Sequence, residues 1–177
     1  LTKISNRRYC EKVMEELSSN NENFGIFSFD LNNLKKINDN MGHTYGDDLI
    51  SGFARILKET FEKEAVVGRM GGDEFIVIIR SDDGRIDYKT FRKKLQHVID
   101  EYNHKESRFK YSVACGYADS TEAGDNNGNV DARQIYSMAD DRMYVHKRKI
   151  KEKMKQEKSI LAVLTLIIAI YIIHTRM

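Results

Sequence analysis

Two β-rich runs, residues 66–70 and 75–79, are separated by only Gly71, Gly72, Asp73 and Glu74. So short a break between strand-forming segments leaves little room for anything but an antiparallel hairpin. Residues 24–31 (FGIFSFDL) are aromatic and branched and read as a strand, as do residues 109–118. Apolar positions at helical spacing predict a helix at 5–18, where Tyr9, Val13, Met14 and Leu17 share a face. Further helices are predicted at 34–41 and 47–61, flanking a polar stretch with Gly42 and Gly46, then at 87–102 and 132–149. Residues 119–129, rich in Gly, Asn and Asp, read as a surface loop.

The order β-α-α-β-β-α-β-α contains the βαββαβ core of an α+β, ferredoxin-like fold: an antiparallel sheet flanked by helices, with an extra helix in the first crossover. In that topology the third strand fills the gap between the first two. The end of strand 24–31 then meets the start of strand 75–79, so Asp30, Asp73 and Glu74 are expected to converge at one sheet edge. Clustered carboxylates repel unless a cation neutralises them, and an oxygen-only donor set favours Mg²⁺ or Mn²⁺ over zinc. Magnesium takes its remaining ligands from water and substrate phosphates, and two such ions can clamp an attacking hydroxyl and a leaving pyrophosphate. Gly71 and Gly72, lacking Cβ, are expected to make the turn and admit a ligand close to the backbone. The competing reading is a hairpin tip with solvated acids, against which Asp30, at the end of an otherwise apolar strand, weighs.

A net charge of +2 with mixed signs argues against a nucleic-acid polymer as partner. Cys10 and Cys115 have no metal-ligand spacing and form no disulfide framework, which fits a reducing cytoplasm. The chain begins at Leu1 with no signal sequence, so an upstream segment is expected. At the other end, residues 152–177 form a separate region, a basic linker and then an apolar run at 160–173 (ILAVLTLIIAIYII). Two main readings stand for this run, beside truncation of a longer span. One is a membrane segment through 159–175, although about 17 to 20 apolar residues are needed for a crossing; its Lys-rich flank fits a cytoplasmic boundary. The other is a C-terminal helix packed on the domain or on a partner.

Several ordered motifs resemble the GGDEF domains of bacterial diguanylate cyclases, whose fold is like that of nucleotide cyclases and polymerase palms. Leu1-Thr2 with Asn6-Arg7-Arg8 is similar to the family's opening element, with Lys3 where glycine is usual. Phe29-Asp30-Leu31, Lys35, Ile37-Asn38-Asp39, Gly42-His43 and Gly46-Asp47 follow the next motif, then Arg69-Met70 and an intact Gly71-Gly72-Asp73-Glu74-Phe75. Ala139-Asp140 and Tyr144 through Lys147 resemble the closing element, and the likeness covers residues 1–151.

The resemblance implies that two GTP molecules are joined into cyclic di-GMP, in bacterial second-messenger signalling, by two such domains facing each other as a homodimer. It implies Asp73 and Glu74 as the catalytic acids, and Asp30, Asp73 and the Leu31 carbonyl as magnesium ligands. Asn38 and Asp47 would read guanine, with His43 nearby. Without the resemblance, helix capping would be the better reading of Asn38 and Asp47. Asn33 and Leu34 would receive the triphosphate at a helix start, together with Lys147 and with Lys151, which stands where arginine is usual. Arg69 would stabilise transferring charge or form a structural ion pair. Location at the inner face of the cell membrane and regulation by an upstream sensory domain are further expectations. The alternative is an inactive GTP-binding or dimerisation module.

Departures from the family carry expectations too. Glu62 and Ala65 stand where many members have the Arg and Asp of a product-inhibition site, so no feedback through that site is expected. Cys115 is expected to be a buried packing residue, and Arg142 and His146 replace common alanines.

Overall fold

The computed structural model describes residues 1–20, 22–61, 65–81, 86–106, 108–123 and 130–175. In chain order the elements are β1 (Ser5–Asn6), α1 (Arg7–Asn20), β2 (Phe24–Leu31), α2 (Leu34–Met41), α3 (His43–Thr60) and β3 (Ala65–Arg69). They continue with β4 (Glu74–Arg80), α4 (Tyr88–Lys105), β5 (Val113–Asp119), a short 3₁₀ turn and α5 (Ala132–Thr175). The sheet runs β1-β3-β4-β2-β5, with β2 antiparallel to both neighbours and β3 antiparallel to β4. This is the expected ferredoxin-like core. The addition is β1, whose two residues pair in parallel with Gly68 and Arg69 and so make the sheet mixed.

β2 is buried along its whole length because both sheet faces are covered. Its alternate side chains divide the core. Phe27, Phe29 and Leu31 pack with Leu49, Phe53 and Leu57 of α3 and Leu95 and Ile99 of α4. On the other face, Phe24 and Ile26 join Ile76 and Ile78, Val13, Met14 and Leu17 of α1, and Ile135 and Ala139 of α5. Ser28 and Asp30, in phase with Ile26, therefore face α5, where Ser28 Oγ donates to Asp140 at 3.0 Å.

Strand β5 is shorter than its sequence suggests. The Tyr111 N–H donates to the Asn103 side chain at 2.6 Å and its carbonyl accepts from it, so that segment bonds to α4 instead of joining the sheet. Its aromatic residues, Phe109 and Tyr111, are nonetheless buried.

Helix α5 meets β5 backbone to backbone. A Cβ on Gly116 would lie 1.9 Å from the Ala139 carbonyl oxygen and 2.3 Å from the Met143 nitrogen. Edge strands expose unpaired backbone groups, and here α5 satisfies two of them. The Cys115 N–H donates to His146 Nδ1 at 3.0 Å. Arg142 donates to the Tyr117 carbonyl at 2.6 Å and also forks onto Glu122. The two residues that replace family alanines thus seal the sheet edge.

Burial, then the nearby Arg92 charge, holds His146 below its ordinary value of 6.5. The unfolded chain therefore takes up this proton at higher pH than the folded one, and the contribution present above 6.5 is lost as pH falls towards the depressed folded value. His146→Gln, which keeps an acceptor, is expected to flatten that part of the stability profile, read by thermal melts from about pH 7 to about pH 5.

The tail is the expected C-terminal helix, but it does not pack on the domain. Helix α5 continues unbroken to Thr175, so the basic linker is helical. No Gly or Pro interrupts residues 132–175, and Lys, Glu, Gln and Met are good helix formers. The run is not packed on the domain, since Ile160, Leu161, Val163, Leu164, Leu166, Ile167 and Ile168 are all exposed. Among the described residues, no helix is long and apolar enough to cross a membrane.

Candidate active-site cleft

At the C-terminal end of β2, Asp30 lies opposite Glu74, the first residue of β4. The Leu31 N–H donates to the Asp73 carbonyl at 2.9 Å, tying the hairpin to the strand end. An open cleft of about 450 Å³ begins here, lined by Asp30, Leu31, Asn33, Leu34, Asp73, Lys147 and Lys151 among the expected site residues. Two larger depressions elsewhere contain none of them.

Asp30 is 6% exposed. Its Oδ2 is ion-paired with Lys147 Nζ, while its Oδ1 is buried without a hydrogen-bond partner. Burial raises its pKa above the ordinary carboxylate value, Lys147 opposes that rise, and the charge of Asp73 adds to it. Asn33 sits at the start of α2 in the left-handed region (φ 69°), a conformation that Asn tolerates better than most residues.

The expected guanine-reading residues lie at a second place, the elbow between α2 and α3. Gly42 has φ 95°, where side chains are strained, and its N–H donates to the Asn38 carbonyl. Asn38 packs over Gly46, where a Cβ would fall 1.9 Å from its Oδ1, and that oxygen is buried and unpartnered. Asp47, next to Gly46, and His43 are exposed. The elbow thus collects Asn38, His43 and Asp47 outside the cleft lining.

Some details depart from the expectation. The strand pairing brings Asp30, Asp73 and Glu74 to one sheet edge as expected, although among the described residues no three His, Cys, Asp or Glu side chains form a tight cluster. Glu74 is exposed and does not line the cleft. Arg69 does not line the cleft and has no ion pair among the described residues: its guanidinium donates to the carbonyls of Gly71 and Gly72, the shortest at 2.8 Å, and braces the turn. The glycines themselves are not needed for the turn, because neither has positive φ. Around a Cβ at Gly72 there is open space. Glu62 lies outside the described residues, and Ala65 opens β3.

Over residues 1–153 the chain matches the family model described as "Diguanylate cyclase, GGDEF domain". The chain belongs to the GGDEF family. The signaling protein YkoW of Bacillus subtilis is 32% identical over 162 residues, which are 88% of this chain and 20% of YkoW. Diguanylate cyclase DgcS of Shewanella oneidensis is 27% identical over 148 residues, 81% of this chain and 47% of DgcS. The chain therefore spans from a fifth to about half the length of these curated relatives. A solved microbial GGDEF domain, studied for its interaction with cyclic di-GMP, is 26% identical with a TM-score of 0.65, covering 84% of this chain and 90% of that one.

The donor set of this GGDEF domain fits a magnesium-type ion. Asp30 has a buried oxygen without a partner, Asp73 lines the same cleft, and one or two carboxylates suffice when phosphates and water complete the shell. The left-handed region also explains the usual family glycine at position 3, for Lys3 has φ 52° here. Sequence reasoning missed Ile150 and Met154, which line the cleft beside Lys147 and Lys151. Their spacing of three and four residues along one helix was the available signal.

Gly72→Ala separates turn from ligand. The fold is expected to keep its thermal midpoint, because the added methyl meets nothing. If substrate approaches the backbone there, KM for GTP rises about tenfold, as steady-state kinetics would read.

Proposed function

We propose that this GGDEF domain is a diguanylate cyclase that condenses two GTP molecules into cyclic di-GMP and releases pyrophosphate. The observation that carries this reading is the cleft that joins Asp30 and Asp73 to Lys147 and Lys151. Asp30, Asp73 and the Leu31 carbonyl hold Mg²⁺ or Mn²⁺, which when bound neutralises and polarises the substrate phosphates. Asn33, Leu34, Lys147 and Lys151 receive the triphosphate.

Asn38 and Asp47 select guanine. The unpartnered Asn38 oxygen supports this role, because guanine offers N–H donors that adenine lacks at those positions. Asp73 accepts the proton of a 3′-hydroxyl as that oxygen bonds to the α-phosphorus of the second GTP and the bond to pyrophosphate breaks. Glu74 is the second acid of the pair. The reaction occurs twice, and because each domain holds one GTP, two domains must face each other. The domain works on the bacterial cytoplasmic side, and an upstream sensory domain supplies the regulation.

Incubation with GTP and Mg²⁺, with ATP as control, and chromatography of the products test this reading. Cyclic di-GMP from GTP alone is expected. Tight GTP binding by the folded chain at high concentration without product would overturn it in favour of a non-catalytic regulatory module.

A further inference from the structure

The last turns of α5 are apolar in every direction. Ile160, Leu161, Val163, Leu164, Leu166, Ile167, Ile168, Tyr171 and Ile172 are between 44% and 68% exposed. Successive residues turn by about 100°, so these side chains surround the helix axis instead of forming a stripe. A packed partner helix would cover only one side of such a cylinder. A lipid phase covers all of it.

Two further observations favour lipid. Two hydroxyls in this part of the helix are satisfied internally, as an apolar medium demands: Ser159 Oγ donates to the Lys155 carbonyl at 3.0 Å, and Thr165 Oγ1 to the Leu161 carbonyl at 2.8 Å. The approach to the run is also strongly basic. Residues 147–158 hold seven Lys or Arg against two Glu. Within it, Lys151, Lys155 and Lys158 are spaced four and three residues apart on one face, and none has an ion pair among the described residues. Parallel pairing with a second copy would set these charges against their own duplicates, whereas anionic headgroups complement them.

We infer that the apolar end of α5 inserts into an anionic lipid surface from one side, with Lys155 and Lys158 at the headgroups. The 14 residues at 160–173 are about 21 Å long as a helix, short of the roughly 30 Å hydrocarbon layer, so the segment enters without crossing. Lys151 lines the nucleotide cleft and also belongs to the lysine stripe. The same rigid helix therefore holds the cleft about 14 Å from the start of the inserted segment.

Flotation of the full chain with vesicles, without nucleotide, tests this independently of catalysis. The chain is expected to float with equimolar phosphatidylcholine and phosphatidylglycerol, and less so as salt is raised. Leu164→Lys with Ile167→Lys abolishes flotation. Lys155→Glu with Lys158→Glu lowers binding to the anionic vesicles about tenfold and leaves binding to pure phosphatidylcholine unchanged. Circular dichroism of each variant checks that the domain remains folded. Absence of flotation with both vesicles, or a soluble dimer that persists in their presence, overturns the inference; the dimer would assign the apolar run to a second copy.

Discussion

Asp73→Ala is expected to lower the rate of cyclic di-GMP formation by about a thousandfold or more, because one side chain is asked to act as base and as cation ligand, each worth roughly 10² to 10⁴. The thermal midpoint should barely change. The Asp73 carbonyl that accepts from Leu31 is backbone and survives the substitution, while its side chain makes no hydrogen bond among the described residues. Product chromatography beside a melting curve reads both halves. An activity loss accompanied by a large fall in midpoint would point to a structural role for Asp73 instead.

Gly116→Val is expected to act the opposite way, through the fold. The atoms that a Cβ would meet, the Ala139 oxygen, the Met143 nitrogen and the Arg142 carbonyl carbon, are all backbone, so no rotamer change relieves the clash. Overpacking a core costs about 1–3 kcal/mol, and this contact lies at the upper end or beyond. For a chain of this size that corresponds to a fall of roughly 6–12 °C in midpoint, measured by calorimetry. Displacing α5 also separates Lys147 from Asp30 and His146 from Cys115, so activity should fall with stability. A variant as stable as the parent would show that α5 does not approach the sheet this closely.

The meeting of Asp30 with the hairpin was legible in the sequence because topology alone forces it: two strands and their order determine which ends touch. Strand β1 was not, since a two-residue parallel pairing has no period and exists only once β3 is in place. The roles of Arg69, Arg142 and His146 were hidden for a related reason. Each bonds to backbone groups, and a carbonyl or N–H left over at a turn or sheet edge has no residue-type signature. Glu74 shows the limit of register: sharing a strand position with Asp30 did not bring its carboxylate into the cleft. Lys147 could be matched to a phosphate role from its motif, but its pairing with buried Asp30 depended on how closely α5 settles on Gly116.

Helix α5 is also a lever. Its 44 residues span about 66 Å, with the backbone contact at Gly116 as a fulcrum and an arm of about 48 Å beyond Met143. A tilt of about 5° at that fulcrum would carry the tip roughly 4 Å while moving Lys147, one turn from the pivot, by only about half an ångström. The geometry is therefore a reduction gear. Coarse displacement at the far end reaches the nucleotide cleft as a fine adjustment, on the scale at which a hydrogen bond is made or lost.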